Sequence, residues 1–270
     1  MSHDDEGGRS RYREELQRYR AERTERLTAP WGWLSLVSRD VLARGDNELD
    51  VGRATYLDGD VTVTLRPGVE AHDEHGRAVL VHRWPQGAPS GDAHFYVGGR
   101  RYELLRQGDH AAIRVRDPSA ATRVSFPGLS FFEPDERFRV VAHLERAGAP
   151  TSMPLAQGLG GVVEHRCPGA LVFTLFDHTY RLLPVIDDDT PDRYFLLFKD
   201  ATNGTSSYGA GRFLYLEPAD ASDQVVLDFN RAFNPPCALT RYAACPVVPP
   251  ENRLPLAVTA GERSPPTAHG

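Results

Sequence analysis

The chain holds three cysteines among 270 residues. An odd and small number does not build a secreted disulfide framework, so a cytoplasmic protein with reduced thiols is expected. No apolar run approaches the roughly 18 residues that a membrane-spanning helix needs. The amino terminus, MSHDDEGGRSRYREEL, lacks an apolar core and a small-residue cleavage site, so it does not read as a signal peptide. Basic charge is not in excess. The formal net charge is -6, whereas a general nucleic-acid binder carries a basic face. Helical intervals of about ten to fifteen residues do not alternate with strands, which removes the βαβ rhythm of a parallel sheet. No internal repeat is visible. Neither a phosphate loop nor a dinucleotide fingerprint is present, and no cofactor is expected.

Glycine (24) and proline (21), by contrast, are plentiful. They fit many turns between short strands. Residues 1–8 read as a disordered polar tail, and residues 9–27 as a helix rich in Arg, Glu, Ala and Leu. Tyr12, Leu16, Tyr19 and Arg23 fall three and four apart, so one narrow stripe faces a sheet. Pro30 stops this helix. Trp31, Trp33, Leu34, Leu36 and Val37 follow as an apolar knot, in which Trp33 either lines a pocket or plugs the end of a barrel. Residues 41–51 read as a turn-containing link.

From residue 54 the pattern is β. Asp58-Gly59-Asp60, Gly98-Gly99 and Asp177-His178 are the turns of three expected hairpins. Residues 136–145 alternate as a long strand, and Pro150, Pro154, Gly158, Gly160 and Gly161 mark a loop before a new strand at Val162. With about eleven strands and one helix, the expected fold is mostly β: an antiparallel β-barrel or packed β-sheets with one N-terminal α-helix. Residues 1–29 form the tail and helix. Residues 30–262 form a single β-rich domain, or two β halves meeting near 117–130.

Polar residues concentrate at the strand ends of residues 197–256. Asp200 and Thr202 follow one apolar run and Arg212 opens the next, as at a barrel mouth. Arg212 can bind an anionic or carbonyl oxygen through its fork of donors, with Asp228 as acid or base beside it and Tyr208 as proton donor. These three are the catalytic candidates. Asn230, Asn234, Glu251 and Arg253, with Asp200, Thr202 and Trp33, are the candidate ligand contacts. Each has a structural alternative. Arg212 pairs with Asp200 or Asp228 as a buried ion pair. Asn234-Pro235-Pro236 forms a rigid crossing loop, which Glu251 and Arg253 clamp. In a strand, Asp228 and Asn230 share one face.

His165, Cys167, Cys237 and Cys245 could be assembled into a zinc site on paper, but Cys237 and Cys245 are too far apart in sequence for the common close pair. No metal is expected. A Cys237–Cys245 disulfide is feasible, and two buried free thiols are favoured over it. The functional expectation is an enzyme or binding barrel acting on a small polar metabolite. The alternatives are a non-catalytic binder, or a structural or interaction domain in which the polar motif is a buried network that fixes the fold. The oligomeric state, a homodimer included, is open at this point.

Several of these stretches also carry a resemblance. They are Phe198-Lys199-Asp200-Ala201-Thr202-Asn203-Gly204, Tyr208-Gly209-Ala210-Gly211-Arg212-Phe213-Leu214, Leu227 through Ala238, Cys245-Pro246 and Pro249-Pro250-Glu251-Asn252-Arg253-Leu254. Gly32-Trp33-Leu34-Ser35-Leu36, Gly128-Leu129, Phe131-Phe132 and Arg139 add to it. The chain resembles the bacterial and archaeal family of domains of unknown function numbered 1684 over roughly residues 30–262. The resemblance supports a site in the carboxy-terminal motif and implies no reaction. Where family members continue after Leu36 with an aromatic, glycine-bearing stretch, this chain has Val37-Ser38-Arg39-Asp40-Val41-Leu42-Ala43. A different ligand is implied if that stretch lines the pocket.

Overall fold

The structure is a computed structural model that describes residues 3–91, 93–187 and 190–265. One long helix, α1 (His3–Thr28), precedes all strands. It starts earlier than residue 9, so most of the expected tail is helical; residues 1 and 2 lie outside the described residues. The Thr28 hydroxyl donates back to the Thr24 carbonyl at 2.9 Å. Pro30 and a turn closed by Gly32 N–H to the Ala29 carbonyl end the helix. Leu16 and Leu27 are buried from its inner stripe.

The first nine strands are β1 (Leu36–Leu42), β2 (Gly45–Leu49), β3 (Gly52–Leu57), β4 (Asp60–Leu65), β5 (Ala71–Asp73), β6 (Val81–Trp84), β7 (His94–Val97), β8 (Arg100–Gln107) and β9 (His110–Arg116). They form a five-stranded sheet, β1-β9-β8-β7-β5, and a four-stranded sheet, β2-β3-β4-β6. The two share a core that includes Val61, Val63, Trp84, Phe95, Leu104 and Ile113. Alternation explains β4: Val61, Val63 and Leu65 are buried while Thr62 and Thr64 are not. At the β3–β4 turn, Asp58 and Gly59 both take positive φ, the backbone of a tight two-residue hairpin.

The remaining strands are β10 (Arg139–Ala156), β11 (Val162–Leu175), β12 (His178–Leu182), β13 (Val185–Asp187), β14 (Thr190–Phe198), β15 (Arg212–Leu216) and β16 (Gln224–Asp228). They pair in the order β15-β14-β13-β11-β10-β16, with β12 also on β11. Phe138, Leu171, Phe173, Leu196, Phe198, Leu227 and Phe229 are among the residues filling their core. No sheet closes on itself among the described strands. The fold is mostly β, in open antiparallel sheets, with one N-terminal helix.

Two segments differ from expectation. Residues 41–51 are not a link: they hold the end of β1 and all of β2, and β1 pairs along β9. Their polar composition is that of exposed strand faces. Residues 150–156 are not a loop either. β10 runs through Pro154, which sits opposite Glu164, after a register shift between Arg146 and Thr151. An irregularity in the ladder is where a strand tolerates residues that cannot donate to it.

The two groups of sheets meet at a seam. The Gln107 side chain donates to the Ala244 carbonyl at 3.0 Å and accepts from Leu159 N–H at 3.0 Å. Gly158 lies so close to residues 244 and 245 that a Cβ there would stand 2.8 Å from the Ala244 Cα.

Candidate functional site

Arg212 opens β15 and is completely buried. Its Nη2 donates to Asp200 Oδ2 at 2.8 Å and to the Val258 carbonyl at 2.8 Å. Its Nη1 donates to the carbonyls of Ala260 and Glu262. The guanidinium also faces the Phe198 ring, 5.4 Å from its centroid. Asp200 is equally occupied. Its Oδ1 accepts from the Thr202 hydroxyl at 2.6 Å, from Thr202 N–H at 2.9 Å and from Val258 N–H at 3.1 Å. Thr202 in turn meets Ser207 at 2.7 Å. Sequence reasoning placed Arg212, Asp200 and Thr202 together, and the structure does so, as a closed buried cluster.

Asp228 has a different set of partners. It does not share a strand face with Asn230, because β16 ends at Asp228 and residues 229–231 make a single turn of 3₁₀-helix that Asp228 caps. Its carboxylate accepts the Tyr12 hydroxyl at 3.0 Å and lies 3.4 Å from Arg231 Nε. Burial, and then the Asp228 charge, push the Tyr12 phenol well above its ordinary range. Asn230 spans to Asp135, accepting from its N–H at 3.0 Å and donating to its carbonyl at 2.9 Å. Asn234 N–H donates to Glu262 Oε2 at 2.8 Å. Arg23 of α1 donates to Glu262 Oε1 at 3.0 Å and to the Asn234 carbonyl at 2.9 Å. The carboxy-terminal polar motif is therefore also the seat of the amino-terminal helix, and Glu262, buried at its centre, was not singled out from sequence. Its position four residues beyond the short apolar run of Leu254–Val258 gave no periodic signal.

The remaining candidates separate. The Tyr208 hydroxyl donates to the Cys237 carbonyl at 3.2 Å, and burial raises its phenol. Glu251 and Arg253 are exposed. The segment between them is held by Asn252, whose amide accepts from Leu183 N–H at 2.7 Å and donates to the Leu183 and Leu197 carbonyls at 2.8 Å each. This buried amide fastens its own segment to β14 and to the residue after β12, because its donor and acceptor match backbone groups there; it does not reach the Asn234-Pro235-Pro236 loop that Glu251 and Arg253 were expected to clamp. Trp33 is half-buried beneath Arg114 and Arg116, with the guanidinium carbons 5.7 and 5.2 Å from its ring.

Those arginines belong to a cluster that sequence reasoning missed. Glu103 on β8 is fully buried among Arg101, Arg114 and Arg116, with Arg114 and Arg116 each at 2.8 Å. Register places Glu103 opposite Arg114 and Arg101 opposite Arg116. Opposite charges at alternate positions on two strands joined by a short turn were the available signal. His165, Cys167, Cys237 and Cys245 do not converge: among the described residues, no group of three or more His, Cys, Asp or Glu side chains could hold a metal.

Away from these clusters, a cleft of about 640 Å³ opens between β10, β11 and the 247–251 segment. Met153, Pro154, Leu183 and Val248 line it with Arg181 and Glu251. Glu251 alone of the candidate ligand contacts reaches it.

These features define a class: an antiparallel β protein whose carboxy-terminal polar motif is a buried lattice of hydrogen bonds and ion pairs. The motif also identifies the family. Residues 124–263 match the family described as protein of unknown function DUF1684, and the chain belongs to that family. The match begins downstream of Gly32-Trp33-Leu34-Ser35-Leu36. The solution NMR structure of an uncharacterized protein of Haloarcula marismortui is 34% identical over 52% of this chain and 78% of that one, with a TM-score of 0.43. No curated protein matches. Among the described residues, no helix is long and apolar enough to cross a membrane.

Proposed function

We propose that the protein binds a small amphipathic molecule in the cleft between β10, β11 and the 247–251 segment, and that the carboxy-terminal motif is the scaffold that holds one wall of this cleft in place. The cleft carries the reading. Its volume, about 640 Å³, lies within the range of small-molecule sites, roughly 300–1,000 Å³. Met153, Leu183 and Val248 offer an apolar floor, while Arg146, Arg181, Glu145 and Glu251 stand at its edges. Arg181 is paired with Glu145, and Arg146 lies 2.6 Å from Asp223, so these edges present hydrogen-bond donors without a strong net charge. Asn252 fixes the Pro249-Pro250-Glu251 wall to β14 and to the residue after β12, a preorganised wall of the kind that lowers the cost of binding.

This reading moves the ligand away from Arg212, Asp200 and Asp228, whose carboxylates and guanidinium Nη atoms are engaged by protein groups, while Arg212 Nε is buried without a hydrogen-bond partner. It is a reading of binding: of the cleft-lining carboxylates, Glu145 is ion-paired with Arg181 and Glu251 stands at the edge, and no histidine is among the described lining residues. The test is saturable binding of the amphipathic dye anilinonaphthalene sulfonate to the folded protein and to Ser152→Trp. Ser152 is an exposed cleft residue, so the indole fills the cleft without disturbing the core. One-to-one binding that the variant loses at unchanged melting temperature is expected. Equal binding by both proteins, or none by either, would overturn the assignment.

A further inference from the structure

β8 and β9 each have an apolar face and a charged face. Tyr102, Leu104, Ile113 and Val115 belong to the core of the first nine strands, so Arg101, Glu103, Arg114 and Arg116 point the other way. Register extends this charged face on both sides. One row across the sheet runs Arg39, Arg114, Glu103, His94, and the next runs Arg116, Arg101, Tyr96, His72. The two rows hold four arginines and one carboxylate. Arg39 stands directly opposite Arg114, and Arg101 opposite Arg116, pairings of like charge that destabilise a sheet. Glu103 is ion-paired with Arg101, Arg114 and Arg116 together, yet it brings a single negative charge. Arg114 is only 9% exposed. Its Nε, Arg101 Nε and Arg39 Nη1 are all buried without a hydrogen-bond partner.

We propose that this face binds a phosphate-class oxyanion, held by Arg39, Arg101 and Arg114 beside Glu103. The unpartnered groups decide the chemistry. A guanidinium has donors and no acceptor, so what these three atoms lack is an acceptor. A buried charged group left without its hydrogen bond is costly, and here three such donors share one sheet face. Water can accept from them but brings no charge, and negative charge is what the two rows are short of. A tetrahedral oxyanion supplies both, with several oxygens that guanidinium forks meet in pairs. The electrostatics agree. Burial lowers the Arg114 guanidinium to about 10 even with Glu103 in contact, and the charges of Arg116 and Arg101 lower it further. A second anion on this face opposes all of these effects.

The surroundings divide the arginines by role. Arg116 is committed: its Nη1 donates to the Gly32 carbonyl at 2.8 Å and its Nε to Glu103 at 2.8 Å. Arg39 and Arg101 keep part of their surface exposed, so the face is open to solvent on their side. Trp31 lies beside it, its ring 5.4 Å from the Arg101 guanidinium carbon and 5.6 Å from the Tyr96 ring. These two partly buried rings offer an apolar surface to the organic part of a phosphate ester. The site is separate from the cleft between β10 and β11, since none of these residues lines that cleft. It borders the seam instead. Arg39 follows Leu36 on β1, whose carbonyl accepts the Thr240 hydroxyl at 3.3 Å.

Titration calorimetry of the full chain with inorganic phosphate tests this, at neutral pH and with ionic strength held constant by chloride. Saturable binding at one site per chain is expected. Arg39→Gln removes one donor and leaves the Glu103 ion pairs in place, so it should weaken phosphate binding at least about tenfold, the effect of one charge-assisted hydrogen bond. Melting temperatures separate a ligand role from a structural one. In chloride alone the variant should melt no lower than the wild type, because a like-charge pair has gone. In phosphate the wild type should gain stability and the variant should gain less. Phenyl phosphate identifies the source: tighter binding than inorganic phosphate assigns the site to an ester, and equal or weaker binding to the free ion. Absence of saturable binding by either compound, or undiminished binding by Arg39→Gln, would overturn the proposal. Should Arg39→Gln not fold, Arg101→Gln takes its place with the same two outcomes in the titration.

Discussion

Arg212 Nη2 lies 2.8 Å from Asp200 Oδ2, and neither side chain exposes any surface to solvent. Each is a buried charge: Asp200 Oδ1 meets backbone and hydroxyl donors and both Nη atoms of Arg212 meet backbone carbonyls, while Arg212 Nε is buried without a hydrogen-bond partner. Such a pair is worth little relative to a well-packed apolar replacement of both partners, but removing one partner strands the other in a low dielectric. Arg212→Met should therefore cost about 3–5 kcal/mol of stability, read from urea unfolding. Asp200→Asn should also destabilise, and the double variant should lose less than the two single losses added together. An Arg212→Met protein as stable as the wild type would show that the guanidinium is not a structural partner, and would return it to the ligand-binding role that its sequence context suggests.

The same pair shows how far the sequence was legible. Strand alternation at residues 61–65 and glycine-bearing turns at 59 and 99 are local features, and they led to the correct hairpins. The stripe of Tyr12, Leu16, Tyr19 and Arg23 correctly marked the packed side of α1. What it packs on was not legible, because Tyr12 and Asp228 are separated by 216 positions in the chain. Within the motif, Asp200 and Arg212 were recognised as close, yet Asp228 was wrongly set beside Arg212. The turn that Asp228 caps sends its carboxylate towards α1 instead. A list of polar residues at strand ends does not say whether they face a cavity or each other. That depends on where the returning segment from 252 to 262 lies, and its backbone carbonyls are what fill the guanidinium of Arg212.

The docking of α1 supplies a second prediction. Arg23 carries a positive charge of the helix into the motif, where it bonds Glu262 and the Asn234 carbonyl. Tyr19 donates to the Arg231 carbonyl at 2.7 Å from the next turn. Arg23→Leu keeps the apolar stem but leaves Glu262, which is fully buried, without its charge partner. A loss of about 3 kcal/mol is expected, together with faster amide exchange across His3–Thr28 than across β8 and β9. Tyr12→Phe, which removes a single half-buried hydroxyl, should cost about 1 kcal/mol and leave the exchange pattern of the sheets unchanged. Uniformly faster exchange in Arg23→Leu would mean that the helix is not a separate docked unit.

Acid sensitivity follows from the Glu103 cluster, whose arginines lie over Trp33. Burial alone would raise the Glu103 carboxyl, but the charges of Arg114, Arg116 and Arg101 together outweigh it and hold the group below the ordinary carboxylate range. Burial lowers Arg114 in turn, to about 10, which leaves it charged at neutral pH. A depressed carboxylate contributes stability that is complete above its unfolded value, about 4.3. That contribution is lost as pH falls through the folded value, because the unfolded chain takes up the proton first. Glu103→Gln carries a neutral group at every pH and resembles the protonated wild type. It should be clearly less stable than wild type near neutrality, where three arginines then share a buried site without a counter-charge. On acidification the two urea midpoints should converge, since the wild type gives up the contribution that the variant never had. Parallel midpoint curves from about pH 7 down to about pH 3, spanning the unfolded carboxylate value, would show that Glu103 is not charged in the folded protein, and that the arginines of β8 and β9 are neutralised by some other group.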